Sequence, residues 1–244
     1  MKKLYEKSQL WFSLVWIIAY VVITSVADGL SESLGIAKAL TLVVHIIMSL
    51  SAFIFIKKNN LLSEYGFCKT PFKASKYLFY IPLVILVSVN FWFGIRINMP
   101  VTETIFYIGS MICVGFLEEL IFRGFLFKAM AKDNLKVAVA VSSITFGIGH
   151  IVNLVNGSGA LLVATICQIF YAIAVGYLFV IIFHRGRSLF PCIAAHSLVN
   201  ATSAFTNETA MGDAVNIFTS VIICVVAISY SLILRKTLRE DKKI

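Results

Sequence analysis

Three groups of polar residues lie in stretches of chain otherwise apolar enough to cross a bilayer. Glu118, Glu119 and Arg123 interrupt the run 114–127, Phe146 and His150 bracket Gly147 and Gly149, and His196 precedes Asn200 by four residues. On insertion scales each charged group near the centre of a membrane helix costs roughly 2.5–3.5 kcal/mol, so residues of this kind are retained for a use. Neighbours on a helix diverge by about 100°, so the two carboxylates cannot share a face, and Arg123 can reach back to Glu119, one turn earlier. Glu118 is left without a local cation, as a general base inside a membrane would be. Phe146 and His150 share a face one turn apart, and the glycines between them let another backbone come close. His196 and Asn200 also share a face, and two converging donors in a dry site are what a developing oxyanion requires. The plainer readings are a charge cluster stapling helices, a packing histidine and a polar helix clamp. His45, without polar company, is read as a packing histidine.

The elements that must position these groups follow from composition. Of 244 residues 59% are hydrophobic and only 14% charged, against roughly a quarter charged in a soluble domain. The fold expected is all-α, a polytopic transmembrane bundle of about eight helices at 10–27, 36–56, 77–95, 104–127, 136–152, 160–183, 189–206 and 214–234. Each segment is close to the roughly 17–25 residues that a span needs. The whole of 1–244 reads as a single integral membrane domain: scaffold helices in 1–100, a catalytic core in 101–205, and a last helix with a basic tail in 206–244. The longest connection, about 57–76, holds Asn59, Asn60, Gly66 and Pro71 and reads as a loop.

Charge placement orients the bundle. The net charge is +9, and eighteen of the 21 lysines and arginines lie before the first span or after the second, fourth, sixth and eighth, all on one side. The opposite loops carry Arg96, with Lys38 at the start of the second span, and the acids Asp28, Glu32, Glu103, Glu208 and Asp213. The positive-inside rule then places the N- and C-termini in the cytosol of a multi-pass cell-membrane protein. The basic face is expected to meet anionic lipid, not nucleic acid. Ser25-Val26-Ala27 imitates a signal-peptide cleavage site, but the long apolar stretch with Trp11 and Trp16 near its start favours a retained span. The five cysteines show no CxxC or metal-ligand spacing and read as packing residues.

Taken in order, EExxxR, FxxxH and HxxxN, each on its own span, resemble the CAAX prenyl endopeptidase and bacteriocin-processing family (CPBP, or Abi). The resemblance covers about 100–205, with no departure at the motif positions. It implies an intramembrane endopeptidase in which Glu118 activates water with help from His150. It also implies that His196 and Asn200 form an oxyanion hole, while Glu119, Arg123 and Phe146 support the site. The implied substrate is a peptide or small membrane-associated protein, reached through a cavity open to the cytosol. No cofactor is expected, because HExxH and a second-shell acid for a ligand histidine are missing. Zinc on Glu118, His150 and His196 stays open as the alternative. So does a non-catalytic bacteriocin self-immunity protein. A proton-coupled transporter would also keep buried carboxylates and histidines, but the repeats and paired broken helices of such proteins are not found.

Overall fold

The computed structural model describes residues 1–154 and 161–238. Arg239, Lys242 and Lys243 of the expected basic tail, and residue 160 at the start of the expected sixth span, lie outside the described residues. The architecture is all-α: α1 (Gln9–Ser33), α2 (Ala39–Lys58), α3 (Ala74–Phe91), α4 (Val101–Ala131), α5 (Leu135–Leu154), α6 (Leu162–Gly186), α7 (Phe190–Thr202) and α8 (Asp213–Thr237). Among the described residues, seven of these are long and apolar enough to cross a membrane, all but α7. Short polar caps start two of them: the Ser8 side chain accepts from the Trp11 backbone N–H, and Asn134 accepts from that of Val137.

Two expected spans differ from regular helices. Along α3, Leu78, Phe79 and Tyr80 have positive φ, a break that 77–95 read as one helix did not anticipate. Such a conformation is rare for side chains of this bulk. It is held in part by Tyr230, whose hydroxyl donates to the Tyr77 carbonyl at 2.7 Å. Expected over 189–206, α7 has only 13 helical residues, about 20 Å against a hydrocarbon core of roughly 30 Å. A short helix leaves carbonyls that must be satisfied inside protein. Asn90 donates to the Val199 carbonyl at 2.6 Å, and Asn98 donates to that of Thr206 at 2.8 Å. Tyr107 bonds the Ser203 hydroxyl at 2.9 Å.

Two clusters form the core. One joins α1, α2 and α4 through Phe12, Phe55, Leu117 and Phe125; the other joins α3, α6, α7 and α8 through Tyr77, Phe179, Cys192 and Tyr230. The seam between α4 and α7 is set by Gly115, where an added Cβ would sit 2.7 Å from the Ser197 Cα. Backbone contact of this kind lets the next polar residues of both helices meet. The glycines of the Phe146–His150 motif divide their roles. A Cβ on Gly147 would lie 2.8 Å from the Ile169 carbonyl oxygen on α6, whereas Gly149 has open space.

Gly115→Val is therefore expected to lower stability by at least about 1–3 kcal/mol through overpacking. Gly149→Ala should be neutral or gain up to about 1 kcal/mol from helix propensity. Thermal unfolding in detergent micelles, both variants against wild type, measures the contrast.

Candidate active site

On α4, Glu119–Phe127 is wound as a π-helix and all nine of its residues are buried. Single widened turns of this type recur at functional sites because they re-aim side chains. Glu119 and Arg123 are both 0% exposed, and the Arg123 Nη1 lies 3.1 Å from Glu119 Oε1, the pairing that their spacing predicts. The same oxygen is 2.7 Å from Nδ1 of His196, which is 6% exposed. On the other edge of that imidazole, Nε2 lies 3.6 Å from Glu118 Oε2, beyond a direct hydrogen bond. Although the two carboxylates diverge along the helix, one ring from α7 sits in the angle between them and faces both.

Arg123 and the two histidines of the site pack around the Phe146 ring. Arg123 stands over its face at 4.0 Å, and His150 and His196 meet it edge-on, each with ring centroids 5.6 Å away. A desolvated guanidinium over an aromatic face is worth about 2 kcal/mol or more. That contact matters because Arg123 Nε and Nη2 have no hydrogen-bond partner among the described residues, and Nη1 meets Glu119 off the hydrogen-bonding angle.

Tyr20 of α1 was not legible in the motifs. Its hydroxyl donates to Glu118 Oε1 at 2.7 Å, so the carboxylate is fixed through one oxygen while the other faces His196. The signal available was weak: a tyrosine at mid-span whose polar tip needs a partner when buried. The Tyr20 ring also stacks on His45 at 5.9 Å. His45 is fully buried and does have polar company, from Thr24 at 3.0 Å and Ser110 at 2.9 Å, both on neighbouring helices. It is a hydrogen-bonded packing residue.

A cavity of about 990 Å³ brings Glu118, Phe146, His150, His196 and Asn200 onto one wall system, with Tyr20 beside them. Glu119 and Arg123 lie behind that wall. The described lining runs toward Glu32, Lys38 and Glu103 and includes no residue from the helix ends that carry the basic loops. Among the described residues no three His, Cys, Asp or Glu side chains are grouped so as to hold a metal ion. Glu119 on Nδ1 of His196 is nevertheless an orienting acid of the kind the sequence did not disclose, and Nε2 faces Glu118 Oε2.

Residues 100–202 match the family model described as Type II CAAX prenyl endopeptidase Rce1-like, the family that the three motifs resemble. The matched segment contains all three motifs, whereas α1 to α3 and α8 lie outside it. No curated protein and no solved structure matches the chain. Residues 100–202 are thus similar to CAAX-type endopeptidases, and the apolar helices are long enough for several membrane crossings.

Removing one partner of a buried ion pair costs about 3–5 kcal/mol, because the other charge stays uncompensated. Glu119→Gln should therefore destabilise by that order, and adding Arg123→Met should return part of the loss. Denaturant unfolding in mixed micelles checks both expectations.

Proposed function

We propose that this protein is an intramembrane endopeptidase in which Glu118 activates water. The observation that carries the proposal is the convergence of Glu118, His150, His196 and Asn200 on one buried cavity, with the second carboxylate held behind it by Arg123. Tyr20 occupies Oε1 of Glu118, so Oε2 is the oxygen that takes a proton. Water beside Oε2, oriented by His150, attacks the scissile carbonyl carbon and gives a proton to Glu118.

The oxyanion that forms needs donors already aimed at it. His196, held through Nδ1 by Glu119, donates from Nε2 in its protonated form; the Asn200 carboxamide is the second donor. When the tetrahedral intermediate collapses, the C–N bond breaks and Glu118 passes its proton to the leaving amine. Glu119 serves as the orienting acid of His196 as well as the partner of Arg123, and Phe146 fixes both histidines through its ring edge. The substrate is a peptide or a small membrane-associated protein. The basic ends of the helices rest on anionic lipid of the cell membrane, with the termini in the cytosol by the positive-inside rule.

The test is cleavage of a peptide library by purified protein in liposomes, read by mass spectrometry. Glu118→Gln should lower turnover by about 10²–10⁴-fold with the fold intact. Tyr20→Phe removes one hydrogen bond to a charged group and should lower kcat by about 10-fold or more, with KM little changed. Treatment with a chelator should leave turnover unchanged. Wild-type turnover in Glu118→Gln would overturn the mechanism, and turnover lost on chelation and restored by zinc would replace it with a metal-dependent one.

A further inference from the structure

The cavity wall is not spread evenly along the helices. Its residues fall within 20–45, 83–118, 146–179 and 195–223, and none falls within 46–82, 119–145, 180–194 or 224–238. The second set of segments leads to the loops that carry the lysines and arginines. Parts of two of those segments are packed shut: Glu119–Phe127 on α4 is wholly buried, as is 180–183 on α6. Beyond Glu118, nine residues of α4, about 14 Å of helix, are of this kind. In the other direction the wall continues through Thr24 and Asp28 to Glu32, Gly35 and Lys38, and through Tyr107 to Glu103 and Met99, at the loops on the far side.

We infer that the substrate peptide reaches Glu118 from the face opposite the basic loops, and that the mouth there favours a cationic stretch of peptide. The positive-inside rule makes that face the non-cytosolic one. Three acids, Asp28, Glu32 and Glu103, line this end of the cavity against one lysine. Lys38 is already bound to Asp28 at 2.8 Å, which leaves the field at the mouth negative. A cleft with one sign of charge between low-dielectric walls concentrates ligands of the other sign. The substrate part of this inference rests on the protease reading above, whereas the direction of access stands on the cavity lining and the placement of the basic loops.

Native Cys167 lines the cavity, and Lys73, on the basic-side connection, is exposed. One variant retains Cys167 and the fully buried Cys192, with Cys68, Cys113 and Cys224 changed to Ser. A second also carries Cys167→Ser and Lys73→Cys. A membrane-impermeant cationic thiosulfonate added to intact cells should modify Cys167 and spare Lys73→Cys; in inverted vesicles the pattern should reverse. Modification of both from the same side would overturn the inference. For the charge preference, Glu32→Gln with Glu103→Gln should raise KM for a cationic peptide by about 3- to 10-fold at low salt, with kcat unchanged and the difference lost at high salt. An unchanged KM would remove that preference. Opposite-side labelling without cleavage of any peptide would uphold the access route and sink the protease reading.

Discussion

One carboxylate oxygen, Oε1 of Glu119, holds the centre of this molecule together. It is 3.1 Å from the Arg123 guanidinium and 2.7 Å from Nδ1 of His196; the two charged side chains are 0% exposed, and the imidazole is buried at the cavity wall. Buried charges persist only where they are compensated. Arg123 receives that compensation from Glu119 on one side and from the Phe146 ring on the other. The same bond fixes the imidazole of α7, so that its second nitrogen faces Glu118. A side chain that would serve as a staple alone thereby becomes the reason a neighbouring acid has a defined partner.

The scaffold makes this arrangement affordable. Gly115 lets α4 and α7 touch, and Asn90, Asn98 and Tyr107 satisfy the polar end of a helix too short to span. A packed half closes the bundle on the basic side, while the other half keeps a cavity with Tyr20 and Glu118 deep inside it. Water-accessible depth and dry packing are thus separated along the membrane normal. That separation leaves the Glu118 side chain 13% exposed, while that of Glu119 is 0% exposed.

Much of this was legible in the sequence, because hydropathy and four-residue spacing are local signals. The apolar runs gave the helices within a few residues, and the distance from Glu119 to Arg123 foretold their pairing. Where the reading stopped, the cause lay in contacts between distant segments. Tyr20 lies far along the chain from Glu118, and nothing near it marks its partner. The view that the two carboxylates must look in different directions held for one helix in isolation, but His196 fills the angle between them. Polar residues at 202–207 could have signalled the early end of α7, and Pro82 the irregular start of α3, but both lie in runs whose mean hydropathy hides them. The direction of the cavity was invisible, because no spacing rule states which half of a bundle is left unfilled.

The central claim is that Glu119 holds His196 through Nδ1 and so aims Nε2 at Glu118. Nitrogen-15 NMR of histidine-labelled protein in lipid, with His196 assigned by comparison with His196→Gln, tests it directly. The account predicts a protonated, hydrogen-bonded Nδ1 whose resonance moves in Glu119→Gln while that of His45 stays in place. An Nδ1 without a proton, unaffected by Glu119→Gln, would contradict it.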